Sequence, residues 1–222
     1  MAGLLPVADA LERVLRGANP LPEEWVPVAD CDGRVLTRDL VAARSQPPAD
    51  VSSMDGYAVR AGDLPGRLAV IGEAAAGRAF GGVVTSGTAV RIFTGAPVPD
   101  GADTVVMQED ASRDGEAVTF AVASRPGRFI RRAGLDFAAG ETGLVAGTLM
   151  DPRRLALAAA MNHATVPVHR PPRVAILSTG DELVEPGTAP GPGQIVSSNA
   201  LALAAIVRRA GGVPTHLGIS PD

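Results

Sequence analysis

The sequence predicts a multidomain fold that combines a β-rich region with the start of a parallel α/β domain. Glycine and proline supply 26 and 19 of the 222 residues, which favours many short strands and turns over long helices. Near the end of the chain, a continuous apolar run at 173–177 is followed by a helical pattern and a second apolar run. That order is typical of the strand–helix–strand unit of a parallel sheet.

The first predicted element is an amphipathic helix over 7–18. Val7, Leu11, Val14 and Leu15 recur at helical spacing, and Gly17 is a plausible stop. Such a helix needs a partner surface to cover its apolar stripe.

The middle of the chain predicts strands rather than helices. Glycine and proline interrupt residues 44–138 repeatedly, which is typical of an all-β module. Asp114-Gly115 stands between two apolar runs and predicts a hairpin turn. The predicted strand-like runs lie at 25–28, 35–37, 40–42, 69–71, 88–92, 104–108 and 117–121.

The last third of the chain predicts two helices and three strands, of which the first lies in VPVHRPP at 166–172. Asp151 is a candidate N-cap for a helix over 151–161. The strand at 173–177 is followed by a helix that Ser198 and Asn199 can cap, and then by a strand at 213–219. Since a single strand–helix–strand unit cannot bury both sheet faces, we expect the chain to be a fragment with an unpaired edge and uncovered apolar faces, poorly soluble or paired with another chain.

Composition excludes several classes of protein. All 20 basic residues are arginine, so a lysine P-loop or Schiff-base enzyme is excluded. The single Cys31 excludes internal disulfides and cysteine-rich metal sites. A net charge of −4 and 3% aromatic residues argue against a nucleic-acid partner. With no apolar run near 18 residues and no leader pattern, we expect no membrane association and a cytoplasmic location.

Small polar residues and carboxylates follow the predicted strand at 173–177. Ser178, Thr179 and Gly180 stand where open α/β sheets bind ligands, at the carboxyl end of a strand. Asp181 and Glu182 add two carboxylates, which suit Mg²⁺ bridging to phosphate. Turn chemistry with a solvated Glu182 explains the same residues, and spacing alone does not decide.

Three further segments have both a ligand interpretation and a turn interpretation. Asp55, before a glycine, is typical of a turn in which the aspartate bonds its own backbone. The Thr94 hydroxyl can bind an anion, or it can bond to nearby backbone in an ST-turn. Four arginines between 125 and 132 suit phosphate or a solvated surface, and Asp136 again fits a turn.

Taken together, four separated segments resemble the MoeA family, the molybdopterin molybdenumtransferases that include the E domain of gephyrin. They are SMDGYAVR at 53–60, IFTGAPVPDGADTVVMQED at 92–110, IRRAGLDFAAG at 130–140 and RVAILSTGDEL at 173–183. The likeness runs from the first helix to the last residue. One departure is Ser197, where the family commonly has an aspartate.

The resemblance implies a role in molybdenum cofactor biosynthesis. Members of this family take adenylylated molybdopterin and molybdate, insert the metal into the dithiolene and release AMP with a divalent cation, here expected to be Mg²⁺. The implied partners are a second copy of the chain in a homodimer and a molybdopterin adenylyltransferase-type protein. A non-catalytic pterin-binding or scaffold module of the same fold is the alternative.

The resemblance also implies site residues. Asp55, Thr94, Asp136 and Glu182 fall on the family's functional acids and hydroxyl, and Asp222 on a further acidic position that would hold metal with Glu182. Ser178, Thr179, Gly180 and Asp181 are the expected cofactor-binding residues. Arg131 and Arg132 are candidate phosphate contacts. The later segments of the family lie outside this sequence, so we expect the isolated chain to be inactive or impaired.

The implied domain organisation has four parts. Residues 1–22 form a helix that packs on the α/β domain, and 23–43 with 139–170 form a discontinuous, small mixed linker domain. Residues 44–138 form the inserted β-rich domain. Residues 171–222 begin a truncated, molybdopterin-binding α/β domain of MogA-like type.

Overall fold

The computed structural model describes residues 5–222 and is rich in strands with few helices. The α-helices are α1 (Val7–Leu15), α2 (Pro152–Ala160) and α3 (Asn199–Arg209). The strands, in chain order, are β1 (Glu23–Pro27), β2 (Leu40–Val41), β3 (Val51–Ser52), β4 (Gly56–Val59), β5 (Gly66–Ala74), β6 (Thr88–Ile92), β7 (Thr104–Met107), β8 (Ala111–Asp114), β9 (Ala117–Phe120), β10 (Ile130–Arg131), β11 (Thr142–Leu144), β12 (Thr165–His169), β13 (Arg173–Thr179), β14 (Leu183–Val184), β15 (Ile195–Val196) and β16 (Val213–Ser220).

The chain divides into two compact units. The first comprises 5–40, 144–159 and 163–222 of the described chain, and the second comprises 41–143 with 160–162. The predicted four-part domain division is finer than these units and stays a prediction. No helix within residues 5–222 is long and apolar enough to cross a membrane.

A six-stranded sheet forms the centre of the second unit. Its order is β7-β4-β6-β5-β9-β8, and every neighbouring pair is antiparallel except β5 with β6. All four residues of β4 are buried. Because successive side chains of a strand point to opposite faces, Tyr57 and Val59 join one apolar cluster and Ala58 joins another. The predicted β-rich region is therefore a sheet with apolar packing on both faces.

In the first unit, β13 and β16 are parallel neighbours, and α3 packs against both strands. Ile176, Ala200 and Ala204 form a small apolar cluster between strand and helix. The predicted strand–helix–strand unit is confirmed. Elsewhere in this unit β1 pairs antiparallel with β12, and Asp151 caps α2 as predicted, since its Oδ1 accepts the Arg154 N–H at 2.9 Å.

Two terminal details of the predicted helices are wrong. Helix α1 ends at Leu15 rather than at residue 18, although Gly17 follows the C-cap Arg16 as the predicted stop. Ser198 occupies the N-cap position of α3, but its side chain makes no capping hydrogen bond. The apolar stripe of α1 is exposed along the described helix, and the surface expected to cover it remains a prediction.

Candidate functional site

Asp55 and Thr94 form a direct pair in the second unit. The backbone N–H of Thr94 donates to Asp55 Oδ1 at 2.7 Å, and the Thr94 hydroxyl donates to the same oxygen at 2.8 Å. The interpretation of Asp55 as an aspartate bonded to its own backbone is wrong, because its partner lies 39 residues further along the chain. Thr94 does offer an N–H and a hydroxyl to an anion, and in this structure the anion is the Asp55 carboxylate.

Close backbone packing fixes the turn that carries Asp55. A Cβ added to Gly56 would lie 1.9 Å from the Val106 carbonyl oxygen, so only glycine lets β4 approach β7 this closely. On the other side of the pair, Gly95 has a φ of +82°, and its N–H donates to the Ser52 carbonyl at 2.8 Å. Two glycines thus set the backbone on which the pair depends.

The electrostatics keep Asp55 ionised. The two hydrogen bonds from Thr94, first that of the backbone N–H, lower the pKa of the Asp55 carboxyl, and the positive charge of Arg91 lowers this pKa further. Asp55 lies at the surface, and in the described chain no hydrogen bond reaches its second oxygen, Oδ2. That oxygen is free to accept a hydrogen bond or to bind a cation.

Asp136 lies on a loop that is anchored to residues 46–50. Its two carboxylate oxygens accept from Arg131 Nη2 at 3.0 and 3.1 Å, and its N–H donates to the Gln46 carbonyl at 2.9 Å. Arg132 forms an ion pair with Asp50. Arg131 and Arg132 therefore bind carboxylates of their own unit, which gives both arginines a structural role in this loop.

A cavity of about 470 Å³ lies at the carboxyl end of β13, within the first unit. Ser178 and Thr179 line the cavity, whereas Gly180, Asp181 and Glu182 do not. The other residues that line it are Ile176, Leu177, Leu183, Ile195, Val196, Ser197, Ser198, Asn199, Ala200 and Leu203. Hydroxyl groups and the first turn of α3 therefore share this cavity.

The loop after β13 is bonded to the end of β16. The Gly180 N–H donates to the Ser220 carbonyl at 3.1 Å, and Gly180 adopts a φ of +142° that favours glycine. A Cβ at this position would lie 2.5 Å from Glu182 Oε2, so the Glu182 carboxylate folds back over the glycine. Asp222 follows two residues after Ser220. Both predicted metal-binding acids thus follow the paired ends of two parallel strands.

The donor set fits Mg²⁺ only with help from other ligands. Carboxylate oxygens are the right chemistry, and Mg²⁺ usually takes one or two protein carboxylates plus water and substrate phosphate. Over residues 5–222, no group of three or more His, Cys, Asp or Glu is placed to hold a metal ion. By themselves, Glu182 and Asp222 are too few ligands for Mg²⁺.

Several residues that belong to these two sites were not among the predicted site residues. Ser197 is 8% exposed, and its Oγ lies 3.4 Å from Ser178 Oγ. The sequence had marked Ser197 only as a departure from the family pattern. Asn199 was predicted only as a helix cap, whereas it also lines the cavity. Arg91 precedes Thr94 by three positions and showed no motif of its own, although β-strand spacing with Phe93 would have placed both on one face.

A β-rich unit with an aspartate–threonine pair, and a polar cavity at the end of a parallel strand, define a multidomain protein of mixed β and α/β class. The chain belongs to the MoeA family, since residues 5–162 match the family described as MoeA N-terminal region (domain I and II).

Relatives and solved structures agree with this family. Molybdopterin molybdenumtransferase 2 of Mycobacterium tuberculosis is 44% identical over 216 residues, which cover 94% of this chain and 53% of the relative. The molybdopterin molybdenumtransferase of Nostoc sp. is 41% identical over 206 residues, covering 90% of this chain and 47% of the relative. The crystal structure of the molybdopterin biosynthesis moeA protein from Pyrococcus horikoshii OT3 superposes with a TM-score of 0.90 at 36% identity, covering 99% of this chain and 61% of that one. The chain spans about half the length of the curated relatives it matches.

Proposed function

We propose that this chain supplies part of the site at which molybdate is inserted into adenylylated molybdopterin with release of AMP. The observation that carries the proposal is the cavity at the end of β13, which combines hydroxyls of Ser178, Thr179 and Ser197 with the first turn of α3. The family and the names of its relatives support molybdenum chemistry on molybdopterin. The adenylylated substrate and AMP release are our proposal for this chain.

The cavity suits a phosphate group of the substrate. The first N–H groups of a helix have no partner within the helix, and they carry partial positive charge. Since Ser198 does not cap α3 with its side chain, these N–H groups are open to an anion. The hydroxyls of Ser178 and Thr179 add neutral donors, which would orient the phosphate. Gly180 and Asp181 would complete the substrate-binding loop from outside the cavity wall.

Glu182 and Asp222 would hold Mg²⁺ beside that phosphate. The ion, when bound, neutralises phosphate charge and orients the leaving group. The Glu182 carboxylate lies over Gly180, and Asp222 follows the end of the adjacent strand, which supports this proposal. Water and the substrate would supply the other ligands.

The proposed roles of Asp55, Thr94 and Asp136 are those of fixed acceptors and donors for a ligand bound at the second unit. Asp55 is held ionised by Thr94, with Oδ2 free, so it can accept a hydrogen bond or bind a cation. Asp136 has both oxygens on Arg131, so it would orient that guanidinium or exchange it for a ligand. A homodimer, a molybdopterin adenylyltransferase-type partner and a cytoplasmic location belong to the same proposal.

Substrate binding and AMP release test this function separately. We expect the 222-residue chain to bind adenylylated molybdopterin in calorimetry, and Ser178→Ala to weaken binding by roughly fivefold to tenfold, as for loss of one hydrogen bond. We expect the protein that contains the full family length to release AMP only with molybdate and Mg²⁺, and Glu182→Gln to lower this rate by at least about 100-fold.

Asp114→Asn is the matched control, because Asp114 is a surface acid in an exposed ion pair of β8. Full AMP release by Glu182→Gln would overturn the proposed metal role of Glu182. Binding that survives Glu182→Gln without any AMP release from the unsubstituted protein would instead favour the alternative, a non-catalytic pterin-binding or scaffold module.

A further inference from the structure

Arg91 lies at the centre of the segments that carry Asp55 and Thr94. It is a half-buried residue of β6, three positions before Thr94, and it stands opposite Tyr57 in the register of β4 with β6. A half-buried arginine beside an unpaired carboxylate oxygen needs an explanation, because burial of its charge costs free energy unless its donors are satisfied.

Hydrogen bonds join Arg91 to both flanks of Asp55. Arg91 Nη1 donates to the Gly56 carbonyl at 3.0 Å, directly after Asp55, and Nη2 donates to Gln108 Oε1 at 2.5 Å. The N–H of Gln108 in turn donates to the Asp55 carbonyl at 3.0 Å. Asp55 is therefore held from its own carbonyl and from that of the next residue.

Two aromatic rings fix the plane of the guanidinium. The Arg91 Cζ lies 4.7 Å from the centroid of the Phe93 ring and 5.3 Å from that of Tyr57. Phe93 directly precedes Thr94, so the same side chain also restrains the threonine. Arginine suits this position because it combines a planar stacking surface with a rigid fork of donors, which lysine lacks.

Arg91 differs from the other arginines near these acids in leaving the carboxylate open. Arg131 and Arg132 bind Asp136 and Asp50 directly. Within the described residues, Arg91 makes no direct ion pair with a carboxylate, although its charge acts on Asp55 through space. A direct Arg–Asp bond would occupy Oδ2, whereas this indirect arrangement stabilises the charge and leaves Oδ2 accessible.

We propose that Arg91 is a positioning residue of the Asp55–Thr94 pair, which ties the Gly56 carbonyl, Gln108 and Phe93 together and so presents Asp55 Oδ2 to a ligand. The identity of that ligand rests on the function proposed above, but the positioning role of Arg91 does not. A purely structural arginine, by contrast, would stabilise the sheet and leave the charge of Asp55 and the Thr94 N–H bond unchanged.

The test uses NMR of the 222-residue chain. Asp55 is titrated through its carboxyl carbon, and exchange of the Thr94 amide hydrogen reports the bond to Asp55. In Arg91→Met we expect the pKa of Asp55 to rise towards its usual value, because a nearby positive charge is lost. We also expect Thr94 amide exchange to be faster by on the order of tenfold, as for one weakened hydrogen bond.

A second variant and a control keep the outcome decisive. Arg91→Lys keeps the charge and loses the fork, so the Asp55 titration should stay close to that of the unsubstituted chain while Thr94 exchange still accelerates. Arg67→Gln removes an exposed arginine from β5 of the same sheet and should change neither readout. If Arg91→Met does not fold, Arg91→Lys alone decides through the exchange rate of Thr94.

Folded Arg91 variants with an unchanged Asp55 titration and unchanged Thr94 exchange would overturn the positioning role. That result would leave the proposed function intact, because neither readout depends on molybdenum chemistry. Conversely, full AMP release by an Asp55→Ala protein of full family length would remove Asp55 from the proposed site without altering the Arg91 readouts.

Discussion

At the scale of single residues, two acids of the second unit, Asp55 and Asp50, are held by donors that come from distant parts of the sequence. Thr94 directs two donors at one oxygen of Asp55, and Asp50 accepts the Ala133 N–H at 2.8 Å beside its ion pair with Arg132. Both arrangements favour the ionised carboxylate, since hydrogen bonds to the charged form lower a pKa. We therefore expect these loops to be less stable at low pH.

Asp50 gives the clearest pH dependence. The Ala133 N–H and then Arg132 lower its pKa in the folded chain. Its stabilising contribution is thus present above the ordinary aspartate pKa and is lost as the pH falls through the lowered value. We expect Asp50→Asn to lower the free energy of unfolding by about 1 kcal/mol at pH 7, and to flatten its decline on acidification, in urea titrations from pH 7 to 3.

The control for this prediction is Asp114→Asn. The ion pair between Asp114 and Arg67 is well exposed. Exposed pairs contribute little, so we expect a change of less than about 0.5 kcal/mol at any pH. An Asp50→Asn chain with the same stability and the same acid profile as the unsubstituted chain would show that the loop at 131–137 does not depend on Asp50.

Residue-level chemistry was only partly predictable from sequence. The motifs indicated Asp55, Thr94 and Asp136 as candidate ligand-binding residues. The sequence could not show that Asp55 and Thr94 bind each other. Such a contact depends on the pairing of β4 with β6, which brings together residues far apart in the chain. Arg91 was missed for the same reason.

At the scale of elements, β4 is the central support of the Asp55 turn. It lies between β6 and β7 in the sheet, and the contact with β7 depends on the small size of Gly56. Strand bounds here follow from local sequence: the predicted strand at 88–92 matches β6, and that at 104–108 differs from β7 by one residue. The sheet order β7-β4-β6-β5-β9-β8 was not predictable, because it is set by long-range pairing rather than by strand periodicity.

Gly56→Ala tests how strongly this strand contact determines stability. The added methyl group would lie 1.9 Å from the Val106 carbonyl oxygen, so β4 and β7 must separate. We expect a loss of about 3 kcal/mol in the free energy of unfolding, as for overpacking between rigid backbone segments. Urea unfolding monitored by circular dichroism measures this loss.

Gly62→Ala is the matched control, because a Cβ at Gly62 meets nothing within 4 Å. Replacing glycine at such a site changes stability little, or raises it by restricting the unfolded chain. Equal stabilities for the two alanine variants would mean that β4 and β7 tolerate separation, and the turn at Asp55 would then need another source of rigidity.

At the scale of the whole molecule, the parallel strand–helix–strand segment leaves much apolar surface exposed. Ile176 of β13 is 7% exposed on the face that α3 covers, whereas its neighbour Leu177 is 52% exposed on the other face. Leu217 on the adjacent β16 is 58% exposed. Uncovered apolar faces were predicted here from the sequence, because one helix covers only one face of a sheet.

This exposed surface should control the solution behaviour of the 222-residue chain. Contiguous apolar surface on a soluble protein favours association or binding of apolar partners. We therefore expect Leu177→Thr with Leu217→Thr to reduce binding of an apolar fluorescent dye, and to shift sedimentation towards the 22.5 kDa monomer. Threonine keeps the strand propensity of the site, so the change isolates apolarity from folding.

Val122→Thr, at a residue that is 55% exposed in the other unit, is the control and should alter neither measurement. A doubly substituted chain that binds dye and associates like the unsubstituted chain would instead attribute association to another apolar surface, of which the exposed stripe of α1 is the next to test.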